Sequence, residues 1–178
     1  MQSPVASRKS MNRVALEDGL VGYRCPESEG VFLPIDSYFR WLSRQLERLP
    51  KLPVASEEVQ EASQDSGAAK ICPESGQIMQ RFKVGHGFDF YLDRSPSGSI
   101  WMDQGEWESL RKHQFHDELH LVFTTPWQKK VRDEAMSAMR SDLLAAKLGP
   151  ELLAKIESLK NELQGHESRS LALAYLIS

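Results

Sequence analysis

The chain has 178 residues, enough for one domain or a small domain with appendages. Hydrophobic residues make up 40% and charged residues 26%, the balance of an ordinary soluble protein. A formal net charge of −3, with no run of Lys and Arg, argues against a general nucleic-acid binder, because phosphate neutralisation supplies most of such a protein's affinity.

Residues 1–12 are polar and lack an apolar core like that of a signal peptide. They read as a disordered leader, with Met11 as an alternative start. Residues 13–50 follow as an amino-terminal unit. Turn formers (Gly19, Gly22, Pro26, Gly30) punctuate short strands near Leu20–Arg24 and Val31–Leu33. A helix is then expected from Asp36 or Ser37 to about Leu49, ended by Pro50 and Pro53. Its stripe includes Tyr38, Phe39, Trp41, Leu42 and Leu46, with Arg40, Arg44 and Arg48 opposite. That stripe is more apolar than a lone surface helix exposes, so Trp41 and Tyr38 are the expected partner-binding residues.

Residues 51–69, rich in Ser, Glu, Gln, Asp and Ala, cannot build a core and read as a linker. A β segment comes next. Ile78–Val84 and Phe88–Asp93 read as two strands joined by Gly85-His86-Gly87, whose glycines supply the positive φ of a tight hairpin. Ser95-Pro96-Ser97-Gly98 is a turn, and Ser99–Met102 a third strand. Asp103-x-x-Glu106 resembles a capping box and opens a helix expected to continue through His113 and Phe115 toward Val122.

Residues 125–178 read as helical. Thr125-Pro126-Trp127-Gln128 has the pattern of a helix start, Gly149 stops that helix and Pro150 opens another. The last helix, Glu167–Ile177, is apolar enough that it is expected to dock on a neighbour.

The tetrapeptide Cys-Pro-Glu-Ser occurs twice, at Cys25–Ser28 and at Cys72–Ser75. The second copy opens a stretch ending in Trp101-Met102-Asp103-Gln104-Gly105-Glu106-Trp107, with Leu110 beyond. Residues 70–110 thereby resemble the TFIIB-type zinc ribbon of transcription-factor zinc-finger domains, in which two cysteine knuckles flank a β-hairpin. Arg24–Leu33 resembles the second knuckle of the same family, a half-ribbon ahead of the complete one. The resemblance implies an α+β fold: a small antiparallel ribbon unit at 70–124, followed by helices and preceded by the half-knuckle and helix of 13–50. The family's metal would need four N or S ligands. Cys25 and Cys72 are the only cysteines, and Ser28, Ser75, Ser95 and Ser97 stand where thiolates would be needed. The expectation is a degenerate ribbon without zinc, held instead by Phe82, Phe88, Phe90, Trp101 and Trp107.

Other chemistry is sparse. His113, His116 and His120 would share one face of a continuous helix, with Asp117 beside them, so this row is the candidate metal site besides Cys25 and Cys72. Asp89 and Asp93 read as a solvated strand face, His86 as an exposed turn residue. The serines lack a nucleophile elbow, and no catalytic residue is assigned. Two cysteines far apart fit reduced thiols in the cytoplasm, and no segment has the length of a membrane helix. The expected function is a non-enzymatic interaction module that binds another protein without a cofactor. The alternatives are a nucleic-acid-binding, transcription-associated zinc finger and a metal-binding protein built on the histidine row.

Overall fold

The computed structural model describes residues 1–5, 9–45 and 67–177. Most of the linker expected at 51–69, and the end of the expected first helix, lie outside these residues. The chain divides into two compact units, 1–131 and 132–178.

The first unit is α+β. Its six strands are β1 (Asn12–Glu17), β2 (Leu20–Arg24), β3 (Val31–Leu33), β4 (Gln80–Gly85), β5 (Phe88–Arg94) and β6 (Ile100–Met102). They form one sheet in the order β1-β2-β3-β6-β5-β4, with every pair antiparallel. The order reads the same from either edge. Each half is a hairpin, a loop, a third strand and a helix: α1 (Ile35–Leu42) after β3, and α2 (Glu106–Lys112) after β6. The seam between halves pairs Val31 with Met102, Phe32 with Trp101 and Leu33 with Ile100. It is therefore centred on Phe32 and Trp101, equivalent residues of the two halves. The spans 13–50 and 70–124, expected as separate units, meet in this one sheet.

Alternation along β3 and β6 sorts their side chains onto two faces. Val31, Leu33, Ile100 and Met102 enter the larger core, where α1 and α2 contribute Tyr38, Trp41, Trp107 and Leu110. Phe32 and Trp101 enter a smaller cluster on the other face, with Met11, Cys25, Cys72 and Met79. The expected aromatic group is thus divided. Phe88, Phe90 and Trp107 share the larger core with Phe82 at its margin, whereas Trp101 belongs to the opposite face. Gly30 lies against Trp101: a β-carbon there would overlap the indole ring, so the loop can pass over it only as glycine.

The described residues of the expected leader are built into this fold. Gln2 bridges to Ser10, and Ser3 and Met11 are buried. After α2 the chain turns sharply, because Gln114 adopts a positive φ of 55°, and reaches the short α3 (Leu119–Val122). The start of α4 (Thr125–Leu148) is tied to β4. Trp127 Nε1 donates to the Val84 carbonyl at 2.8 Å and Gln128 Nε2 to the Lys83 carbonyl at 2.9 Å. His86, expected to be exposed, is half-buried at the hairpin tip with its ring 4.2 Å from that of Trp127.

The second unit holds the rest of α4, then α5 (Pro150–Glu162) and α6 (Arg169–Ile177). Gly149, at a φ of 80°, separates α4 from α5 in the manner the sequence predicts. This unit leaves more large apolar side chains in water than the first, among them Met136, Met139, Leu143, Leu152 and Ile156. The expectation that α6 docks is not met, since it has no buried residue and Ile177 is 85% exposed. No helix among the described residues is long and apolar enough to cross a membrane.

Candidate functional site

Backbone bonds close the chain beside each hairpin. At the first closure, the Ser3 N–H donates to the Lys9 carbonyl at 2.7 Å. In the second, Cys25 N–H donates to Gly30 O at 2.9 Å and Glu29 N–H to Cys25 O at 3.0 Å. The third repeats this with Cys72 to Gln77 and Gly76 to Cys72, at 2.8 and 2.9 Å. The fourth is one residue tighter, Ser95 to Ser99 and Gly98 to Ser95, at 2.8 and 2.9 Å. Glu29, Gly76 and Gly98 supply the positive φ that lets each of the last three loops close.

These loops face each other in pairs. Cys25 is fully buried and lies among the backbone N–H groups of Ser28 and Glu27 and the hydroxyls of Ser28 and Ser3. Burial opposes ionisation of this thiol, but the donors outweigh it and hold the group below the ordinary thiol range. In the other pair Glu74 spans the gap, its carboxylate accepting from Ser99 Oγ at 2.7 Å and, at the limit of bonding, from Ser97 Oγ at 3.5 Å. Ser95 and Ser97 hydroxyls lie 2.8 Å apart. The first pair thus contains one thiol and a set of hydroxyls, and the second one thiol, hydroxyls and the Glu74 carboxylate; neither brings together the four thiolate, imidazole or carboxylate ligands of a structural zinc.

The candidate histidine row is dispersed by the turn at Gln114. His113 caps α2 and sets its ring edge-on to Phe88 at 5.5 Å, with Nδ1 2.8 Å from Ser109 O. His116 is buried between Trp41 and Trp107, with Nε2 3.1 Å from a Glu17 carboxylate oxygen. His120 Nδ1 lies 3.2 Å from the Tyr38 hydroxyl. Burial of His120 lowers its pKa, against the raising effect of Glu118 and Asp117. Among the described residues, no three His, Cys, Asp or Glu side chains converge as metal ligands, so His113, His116, Asp117 and His120 do not form the centre that a continuous helix would have made.

Tyr38 and Trp41, the expected partner-binding residues, are buried at 0% and 2% exposure. The Tyr38 hydroxyl donates to the Asp117 carbonyl at 2.8 Å, and burial pushes its pKa up. Both rings pack against the turn carrying His116 and His120. Phe39, on the same helix, stays exposed.

One polar centre was not anticipated. Lys70, 1% exposed, places its ammonium 2.7 Å from Asp93 and 3.0 Å from Asp103. Trp101 Nε1 donates to the other Asp103 oxygen at 2.7 Å. Asp93 therefore does not belong to a solvated face, although Asp89 does, paired at the surface with Lys83 at 3.0 Å. Burial raises Asp93 above the usual carboxylate range, with Lys70 opposing it. The Asp103 N–H donates to the Glu106 carboxylate at 2.7 Å, which is half of the predicted capping box, and the helix starts two residues later than the motif suggests, with Gly105 at its cap. The side chains of Lys70, Asp93 and Asp103 are nearly sealed from solvent. A groove of about 280 Å³ beside β4 is lined by Ile78, Gln80, Phe82, Arg94, Ser95 and Pro96, with Arg94 as its one charged side chain.

Compared with known proteins, the chain matches no family model, no curated protein and no solved structure.

Proposed function

We propose that the chain is a non-enzymatic interaction module: two degenerate TFIIB-type zinc ribbons, fused across one sheet and free of zinc, attached to helices that bind another protein. The palindromic strand order and the matched loops at Cys25, Cys72 and Ser95 support a doubled ribbon, with the loop at Ser3 completing the first half. Serine at the positions facing each thiol supports the absence of metal, because a neutral hydroxyl is a poor zinc donor. Dense packing around Phe32 and Trp101 supplies the cohesion that a coordinated ion would otherwise give.

The observation that carries the binding role is the exposed apolar surface of residues 132–178. Met136, Met139 and Leu143 repeat at spacings of three and four along α4, so they form one stripe, and Met139 is 75% exposed. Methionine-rich helix faces are adaptable docking surfaces, and apolar side chains in such density are costly to leave in water. The test places a photo-crosslinking residue at position 139 of the full chain in its native cells, with position 134 as the polar control. A discrete protein adduct is expected at 139 and not at 134; equal labelling at both positions would refute a specific surface.

The metal-free reading has its own expected result. Purified full-length chain contains well under one zinc per molecule, and its thermal midpoint is unchanged by a chelator. One zinc per chain, with a midpoint that falls on chelation, would overturn that reading. A structural zinc contributes on the order of 10 kcal/mol, so its removal could not pass unnoticed.

A further inference from the structure

We infer that α5 pairs with α5 of a second copy, antiparallel, making the protein a homodimer. This rests on the reading of residues 132–178 as a docking region and names one occupant of it.

Leu152, Ile156, Leu159 and Leu163 repeat at intervals of four, three and four, the spacing of the buried seam of a two-helix coiled coil. Three of the four are large exposed side chains, Leu152 at 48%, Ile156 at 43% and Leu159 at 38%. In an antiparallel pair, Leu152 meets Leu163 of the second copy and Ile156 meets Leu159, so all four are covered by symmetry. The flanking positions decide the direction. Antiparallel pairing sets Lys155 beside Glu162 of the second copy, twice over. Parallel pairing sets Lys155 beside Lys160 instead, which places like charges together. Leu153, at the flank beside the seam, is already buried within the chain and needs no cover from the second copy. Glu162 has only an exposed bond from Ser158 at 3.0 Å to give up or share.

A second copy is an occupant whose charges the sequence itself makes complementary, Lys155 to Glu162 at both contacts.

The test uses the full chain and light scattering after size exclusion. Wild type is expected at twice the 20.2 kDa chain mass. Lys155→Glu alone and Glu162→Lys alone each replace two attractive contacts with two repulsive ones, and each is expected to weaken dimerisation about tenfold or more. An equimolar mixture of the two variants restores attraction at both contacts and is expected to return to the dimer. Both substitutions are on exposed positions of α5, and circular dichroism of each variant checks that the fold is kept. A monomeric wild type at concentrations up to 1 mg/ml or above, on the order of 50 μM, would overturn the proposal. So would single variants that dimerise as wild type does, or a mixture that stays as weak as its components. None of these outcomes touches the crosslink at Met139 on α4, so failure of the dimer and failure of the docking region are separate results.

Discussion

Lys70→Met is expected to destabilise the chain by about 3–5 kcal/mol, the range for breaking a buried ion pair from one side. Lys70 bonds both Asp93 and Asp103, and both carboxylates are nearly sealed from water. Methionine fills the space of the aliphatic stem but removes the ammonium that holds the two like charges together, leaving Asp93 only the weaker help of Arg81. The sign of the pH effect follows. Burial already holds Asp93 above its ordinary range, and Lys70 pulls it back, so removing Lys70 raises it further. A carboxyl whose folded pKa is raised is destabilising when ionised. The penalty is therefore full near neutral pH and shrinks as pH falls through the raised value toward that of the unfolded chain. Urea unfolding of both proteins between pH 4 and 8 reads this directly. A loss under about 1 kcal/mol at pH 7 would mean that water reaches the site. Adding Asp93→Asn and Asp103→Asn to the Lys70→Met background should recover part of the loss.

Trp101→Ala is the second large effect, at about 3–5 kcal/mol for truncating a buried tryptophan. Trp101 is fully buried at the centre of the seam opposite Phe32, and its indole N–H is bonded to Asp103. Trp101→Phe keeps most of the apolar contact and removes only the donor, so its cost is expected at about 1–3 kcal/mol, the penalty for leaving a buried acceptor short of a partner. Equal losses from the two substitutions would show that the hydrogen bond, and not the packing, dominates. A loss under about 1 kcal/mol in Trp101→Ala would show that the seam is held elsewhere.

How much of this was legible in the sequence differs element by element. The β4–β5 hairpin was readable because Phe88, Phe90 and Leu92 alternate with polar residues and Gly85-His86-Gly87 announces the turn. The break at Gly149-Pro150 was readable for an equally local reason. The seam was not. Val31–Leu33 and Ile100–Met102 are short runs of apolar residues, and such runs do not say which strand lies beside them. The histidine row failed because one residue, Gln114, leaves the helical region; nothing about glutamine marks that position. Tyr38 and Trp41 were assigned to a partner because a helical stripe has a direction but no address, and here the address was this chain's own β2 and the turn after α2. Lys70 was invisible because lysine is almost always at the surface, and its two partners lie 23 and 33 positions away. Asp93 was misjudged for the same reason, since alternation in a strand identifies a shared face without saying whether water covers all of it.

The seam between β3 and β6 has a consequence for how this protein can be divided. It is only three residue pairs long, yet it is what gives each half its inner neighbour. Cut between the two halves, either piece would end in a naked row of amides and carbonyls flanked by Val31, Phe32 and Leu33, or by Ile100, Trp101 and Met102. Such a border adheres to whatever strand it meets. The two halves look like a repeated module in series, but they are not separable goods: expressed alone, each would seek a substitute for its missing twin.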